Sequence, residues 1–202
     1  MMQFVKANIF TCLLSVFLFL GISGCNQHST ANKFHSTDIT GVEFGQDFQL
    51  TDHTGKVRTL ADFRGKAVVM FFGYTHCPDV CPTTLSDVAQ ALILLGKDAS
   101  KVQVLFVTVD PARDTQELLA KYVPAFNPDF LGLYGDEAST ANVAKDFRIF
   151  YQKHQDKSGQ GYAVDHTAGT YVFDQSGKLR LFMSYGQGAE IIANDLRVLL
   201  SN

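Results

Sequence analysis

The sequence predicts an α/β fold built around a largely parallel sheet. Two apolar runs, at residues 67–72 and 102–109, are rich in β-forming residues and are typical of strands covered on both faces. A segment with helical spacing of apolar residues follows each run, and this alternation predicts parallel strands joined by right-handed crossovers. The chain has 202 residues, a length that is enough for one such domain with its own core. Its composition, 46% apolar and 18% charged residues, is typical of a globular protein.

The first 24 residues predict a signal peptide. Lys6 is the only charged residue before Cys25, and residues 7–22 are almost wholly apolar. Ile22-Ser23-Gly24-Cys25 resembles the lipobox of bacterial lipoproteins, which implies that Cys25 is lipidated and begins the mature chain. The alternative is a retained membrane segment, because residues 4–24 are just long enough to cross a bilayer. Either way, we expect a domain tethered to a membrane outside the cytoplasm.

We expect residues 25–43 to form the lipidated cysteine and a flexible tether, and residues 44–202 to form the folded domain. Residues 26–41 are polar and lack apolar periodicity, as linkers do. His28 and His35 fall in this stretch, and we expect both to be solvated linker residues.

The domain begins with a predicted hairpin. Phe44, Phe48 and Leu50 alternate with polar residues, a polar turn at 52–55 follows, and residues 57–60 form the second arm. The later elements are predicted in this order: a strand at 67–72, a helix at 83–95, a strand at 102–109, a helix at 117–126, a short strand at 130–134, and a helix at 136–147.

The last third of the chain predicts antiparallel strands and one helix. Arms at 148–151 and 161–164, with a polar tip at 155–160, predict a hairpin inserted before the segment that carries His166. Strands at 170–173 and 179–183 are joined by Asp174-Gln175-Ser176-Gly177, a good hairpin connection. A helix at 190–200 closes the domain.

Cys77 and Cys81 are the residues around which the domain is organised. They follow the strand at 67–72, each precedes a proline, and we expect the first turn of the next helix to carry both thiols. Residues four apart share a helix face, so the pair could close a disulfide or bind one soft metal ion. The unpaired N–H groups of the helix terminus favour thiolates. A thiol pair at this point predicts a thioredoxin-like fold.

Two features depart from a plain thioredoxin. The spacing is Cys-x3-Cys, and no proline follows Pro128, although thioredoxin-like oxidoreductases carry a cis-proline before the strand that faces the thiols. Asp165-His166-Thr167 stands there instead. Two thiolates and an imidazole suit soft metals such as Cu(I) or Zn. The alternative for His166 is a structural histidine at the start of a strand.

Three segments of the chain resemble motifs of the Sco/SenC family of copper-handling proteins. They are Gly73-Tyr74-Thr75-His76-Cys77-Pro78-Asp79-Val80-Cys81-Pro82-Thr83-Thr84-Leu85, Val109-Asp110-Pro111-Ala112-Arg113-Asp114-Thr115 and Val164-Asp165-His166-Thr167. The resemblance covers about residues 44–200. The chain departs from the family in its lipobox, where many members have a transmembrane helix, and in Thr167, where serine is frequent.

The resemblance implies a thioredoxin-like protein that binds one copper ion, as Cu(I) and in some states Cu(II), through Cys77, Cys81 and His166. Its implied role is to help assemble the copper centre of cytochrome c oxidase, by delivering copper, by reducing the target's cysteines, or both. Its expected partners are the copper-site subunit of that oxidase and other copper- or thiol-handling proteins. The expected location is the periplasmic face of the inner membrane. A net charge of −3 argues against nucleic acid as a partner.

Three functional hypotheses stay open from the residues alone. The protein is a copper chaperone, an extracytoplasmic thiol–disulfide oxidoreductase with Cys77 and Cys81 as its catalytic pair, or a domain with a structural disulfide. His166 and the missing cis-proline favour the first over the second.

Four residues near the thiols carry secondary expectations. Asp165 either orients His166 or serves a turn. Asp110 tunes the site, contacts a partner or serves the turn before Pro111. Arg113 forms a local ion pair with Asp114, and His76 is either an extra ligand or a solvated loop residue.

Overall fold

The computed structural model describes residues 34–155 and 161–201. They belong to a compact unit that spans Lys33–Asn202. The predicted signal peptide at 1–24, Cys25, His28 and the hairpin tip at 156–160 lie outside the described residues. None of the helices in the described ranges is long and apolar enough to cross a membrane.

An eight-stranded sheet forms the centre of the fold, and its neighbouring strands follow the order β1-β10-β9-β4-β5-β6-β2-β3. The parallel part comprises β4, β5 and β6, and the other pairings are antiparallel. A separate two-stranded sheet pairs β7 with β8. The strands are β1 Thr37–Asp38, β2 Gln49–Asp52, β3 Val57–Thr59, β4 Ala67–Gly73, β5 Val102–Thr108, β6 Leu131–Tyr134, β7 Tyr151–Gln155, β8 Tyr162–His166, β9 Thr170–Phe173 and β10 Leu179–Met183.

Four α-helices occur in the described residues, and the longest, Val80–Leu95, packs against the C-terminal helix, Ala189–Leu200. Two shorter helices begin at side-chain caps: Thr115 accepts the Leu118 N–H and Asp136 accepts the Ser139 N–H, which satisfies donors that a helix start leaves unpaired. The helices are α1 Val80–Leu95, α2 Gln116–Tyr122, α3 Glu137–Asp146 and α4 Ala189–Leu200.

The core is packed around β4, which is buried at every position. Phe71 and Phe72 alternate to opposite faces of this strand, so each face of the sheet receives an aromatic side chain. Phe71 packs against Phe106 of β5, with ring centroids 6.1 Å apart, and Phe72 packs against Phe147, at 5.4 Å. The carboxyl end of β4, packed on both faces, therefore fixes the start of the cysteine loop that follows it.

The predicted α/β, thioredoxin-like fold and the order of its elements are confirmed. The second helix ends earlier than predicted, because Pro124 lacks an N–H and a short 3₁₀ turn, Val123–Ala125, replaces its last residues. The inserted hairpin is present, but its arms lie a few residues later in the chain than predicted, at β7 and β8.

The predicted tether is wrong over residues 34–43, which are part of the fold. Thr37 and Asp38 form β1 and pair with β10. The buried Asp195 carboxylate of α4 accepts the N–H groups of His35 and Ser36, each at 2.8 Å, and His35 Nδ1 lies 3.2 Å from it. His35 is thus held by the domain, although its side chain remains half-exposed.

Candidate metal centre

The loop between β4 and α1 carries Cys77. Contrary to the prediction that both thiols lie in the first turn of the helix, Cys77 precedes α1 by three residues and only Cys81 lies within it. The Cys77 N–H donates to the Tyr74 carbonyl at 3.2 Å in a tight turn. The buried Asp114 carboxylate holds the start of this turn, because it accepts both the N–H and the hydroxyl of Thr75.

Cys81 lies in the first turn of α1 and is fully buried. Its sulfur packs against Gly73 at the end of β4, where a Cβ would come within 2.8 Å of Sγ. A side chain at position 73 would therefore displace the thiol or the helix start. Glycine at the strand end is what lets α1 approach this closely.

His166 ends β8 and faces the thiols. Its Nε2 lies 3.5 Å from Cys81 Sγ, and its Nδ1 lies 3.0 Å from the Thr167 carbonyl oxygen. A carbonyl can only accept, so Nδ1 carries a proton, and Nε2 is the ring nitrogen that faces the sulfur. The rings of Phe71 and Tyr74 contact the imidazole edge-on, with centroids 6.0 and 5.9 Å away.

The structure brings Cys77, Cys81 and His166 together as predicted. Their ligand atoms lie within 4.8 Å of one another, and no other group of three metal-ligating side chains was found in the described residues. Two thiolate sulfurs and one neutral imidazole nitrogen fit a soft ion such as Cu(I) or Zn. The site is therefore chemically suited to a metal ion of this class.

The two thiols differ in acidity because they share a hydrogen bond. The bond from the Cys81 thiol lowers the pKa of Cys77 well below its usual value; burial opposes this, while His166 and the N–H groups of Asp79 and Cys81 add to the lowering. The same bond, together with burial, raises the pKa of Cys81. The Cys81 N–H donates to Cys77 Sγ at 3.5 Å. The start of α1 therefore favours a thiolate at Cys77, although Cys77 itself lies outside the helix.

The structure decides between the alternatives left open for the neighbouring residues and corrects the ion pair expected for Arg113. Successive residues of a strand face opposite sides, so Asp165 points away from the face of β8 that carries His166. It is exposed, lies 3.3 Å from His154 on β7, and does not orient His166. Arg113 pairs with Asp110, three residues before it, and not with Asp114. His76 is half-exposed, bonds to Thr75 and lies outside the group of three ligands.

Two functional details escape analysis of the sequence. The backbone carbonyl of Thr167 orients His166. Every residue has such a carbonyl, so the residue type at position 167 does not predict this bond. Asp110 is buried and accepts the Tyr162 hydroxyl at 2.7 Å, a contact between residues 52 positions apart. The sequence feature that could have pointed to a role for Asp110 is the Val109–Thr115 segment, which places two acidic residues after a buried strand.

Comparison with known proteins gives consistent matches. The model of the family described as SCO1/SenC matches residues 36–201. The mitochondrial SCO2 homolog of Bos taurus is 40% identical over 153 residues, which are 75% of this chain and 58% of that protein. This chain thus spans less than two thirds of that relative.

Two solved structures resemble the described fold. ScoI of Bradyrhizobium japonicum, solved with copper bound, is 42% identical with a TM-score of 0.71, over 78% of this chain and 99% of that one. Apo Sco1 of Thermus thermophilus is 40% identical with a TM-score of 0.74, over 83% and 98%.

Proposed function

This chain belongs to the SCO1/SenC family, and from this premise we propose that it binds one copper ion through Cys77, Cys81 and His166. We further propose that it helps to assemble the copper centre of cytochrome c oxidase, with the copper-site subunit of that enzyme as its partner. The copper is cargo, held by the protein and passed on.

The observation that carries the proposal is the donor set. Two sulfurs and the Nε2 of one imidazole converge within 4.8 Å, and thiolates with imidazole are ligands that suit Cu(I). Zinc is the competing ion for such ligands. The copper-bound ScoI of Bradyrhizobium japonicum, at 42% identity, supports copper.

The proposed location is the periplasmic face of a bacterial inner membrane, with a lipid on Cys25 as the anchor. Support comes from the sequence alone: an apolar stretch, small residues and a cysteine at positions 22–25. A lipidated cysteine holds a domain on a membrane without a spanning helix.

A second function of the same pair is favoured by its unequal thiols. Cys77 is partly exposed with a lowered pKa, whereas Cys81 is buried with a raised one. This is the arrangement of an attacking and a resolving cysteine in thiol–disulfide exchange. Disulfide formation would remove two of the three metal ligands, so copper binding and oxidation would exclude each other.

The test is a Cu(I) titration of the reduced full-length chain and of His166→Ala, by competition with a chelator without oxygen. We expect one tightly bound Cu(I) per wild-type chain. Loss of a ligand worth about 3 kcal/mol should weaken binding roughly a hundredfold in the variant. Oxidation of the two thiols to a disulfide should proceed in both proteins.

His154→Ala is the matched control, because His154 lies on the neighbouring strand of the same hairpin but outside the group of three ligands. Its Cu(I) affinity should equal that of the wild type. Equal affinities in wild type and His166→Ala, or tighter binding of Zn than of Cu(I) in competition, would contradict the proposal.

A further inference from the structure

The strand that carries His166 does not belong to the main sheet. In the described residues, β7 and β8 pair only with each other, from Tyr151↔His166 to Gln155↔Tyr162, and β7 is largely exposed. A single two-stranded hairpin is at best marginally stable in water. The position of His166 must therefore depend on contacts between this hairpin and the rest of the domain.

One face of β8 makes those contacts. Tyr162, Val164 and His166 alternate along the strand and share a face. Val164 is buried, and the Tyr162 hydroxyl donates to Asp110 at 2.7 Å. Burial and the neighbouring Asp110 raise the pKa of Tyr162 to about 12, so its hydroxyl keeps the proton that it donates. The far end of the strand from His166 is thus fixed to the end of β5.

Arg113 reinforces this connection from the same loop. Its Nη1 donates to the Tyr162 carbonyl at 2.8 Å, and its guanidinium lies 3.6 Å from the centre of the Tyr162 ring. Its Nε donates to Asp110, which is fully buried, while the Arg113 side chain is 23% exposed. A planar guanidinium can make all three contacts at once, which an ammonium cannot. Lys153 of β7 adds a weaker contact, 3.5 Å from Asp110.

The loop at residues 109–115, between β5 and α2, also holds the thiol side of the site. Asp114 accepts the Thr75 N–H at 3.0 Å and the Thr108 hydroxyl at 2.6 Å. Thr75 begins the turn that carries Cys77. One short loop is therefore bonded, through two buried acids, to both of the segments that supply metal ligands.

We propose that the 109–115 loop sets the separation between the thiol pair and His166, and that Arg113 is the positioning residue that holds the histidine hairpin at this separation. The inference rests on the proposed function, because it concerns the same copper ligands. Arg113 itself touches no ligand atom; it acts through Tyr162, four residues before His166 on the same strand.

The test is Arg113→Lys in the full-length chain, which keeps the charge but removes the planar fork and its stacking on Tyr162. Loss of such supporting contacts typically weakens metal binding by about tenfold or more. We expect the Cu(I) affinity of the reduced chain to fall roughly tenfold. In the metal-free chain, we expect the NMR contact between the ring protons of His166 and Phe71, whose centroids are 6.0 Å apart, to weaken. Tyr162→Phe, which removes only one hydroxyl, should shift both readouts in the same direction by less.

Arg58→Lys is the matched control. Arg58 also donates its Nε to a buried acid, Asp52, at 2.7 Å and lies over an aromatic ring, Phe63, but at the far edge of the sheet. Its substitution removes the same kind of contact without touching the hairpin. Both its Cu(I) affinity and its His166–Phe71 contact should match the wild type.

A second comparison separates positioning from general destabilisation. In a His166→Ala background, Arg113→Lys should cause no further loss of Cu(I) affinity, because the residue that it positions is gone. An equal loss in both backgrounds, or no loss in either, would overturn the inference. If His166→Ala alone leaves the affinity unchanged, the proposed copper site fails, and the NMR contact in the metal-free chain still decides whether Arg113 holds the hairpin.

Discussion

Cys77 and Cys81 are the same residue type four positions apart, yet the fold gives them different surroundings. Cys77 lies outside the helix and accepts N–H groups from the start of α1, whereas Cys81 is packed without exposure against Gly73. Because the two share one hydrogen bond, the charge that is stabilised on the first sulfur disfavours charge on the second. A pair of this kind holds one proton fewer than two ordinary thiols at neutral pH.

This difference predicts selective alkylation of the reduced, metal-free chain. The thiolate is the reacting species, and the lowered pKa of Cys77 keeps it deprotonated when the pH falls below the value at which an ordinary cysteine protonates. Iodoacetamide should therefore modify Cys77 before Cys81, at a rate that stays nearly constant between pH 8 and pH 6, as followed by peptide mass spectrometry. For an ordinary thiol the rate would fall roughly tenfold per unit over this range.

Cys77→Ser supplies the control for this assignment. If alkylation of Cys81 in this variant is slow and appears only at high pH, burial alone is sufficient to keep the pKa of this thiol raised. Preferential modification of Cys81 in the unsubstituted chain would contradict the assignment.

Among the strands of the described residues, β1 is the shortest, and hydrogen bonds from the residues before it add to its pairing. It has two residues, both exposed, and its pairing with β10 is supplemented by the bonds from His35 and Ser36 to Asp195. Asp195 is fully buried on α4, and in the described residues these two N–H groups and His35 Nδ1 are the hydrogen-bond partners of its carboxylate. The N-terminal strand and the C-terminal helix therefore stabilise each other.

Asp195→Ala should loosen this end of the domain. Two backbone N–H groups would lose their acceptor, which typically costs about 1–3 kcal/mol for partly buried groups. Denaturant unfolding of the reduced chain should show that loss, and amide exchange at Thr37 and Asp38 should accelerate. Asn194→Ala, at the exposed neighbouring position of the same helix, should leave both measurements unchanged. Unaltered exchange in Asp195→Ala would show that strand pairing alone holds β1.

The sequence predicts those elements that are marked by a pattern of residues within the element itself or in the turn next to it. The bounds predicted for β9 and β10 are those observed, because apolar residues and a Gly-containing loop mark both strands. Thr37 and Asp38 carry no alternating pattern, so β1 is missed. The same distinction applies at the site: Cys77, Cys81 and His166 are marked by residue type and order, whereas the Asp110–Tyr162 bond depends on tertiary placement.

Across the whole molecule, the described part of the chain begins at the end of the main sheet from which the Cys77 loop leaves. Both β4 and β10 run antiparallel to β9, so the carboxyl ends of β4 and β10 lie together. Thr37 pairs with Phe182, next to the carboxyl end of β10, and Cys77 follows the carboxyl end of β4. Thr37 and Asp38 therefore lie at the same end of the main sheet as the start of the Cys77 loop.

The anchor itself is open to a direct test by mass spectrometry of the full-length gene product made in a bacterial host. Lipid attachment at Cys25 requires its thiol, so we expect the wild-type chain to lack residues 1–24 and to carry acyl groups on Cys25, whereas Cys25→Ser should carry none. Cys12→Ser is the matched control, because that cysteine lies in the segment that should be removed. It should yield the same acylated product as the wild type. A wild-type chain that keeps residues 1–24 and has no acyl group would instead indicate that the apolar segment is retained in the membrane, since residues 4–24 are just long enough to cross it.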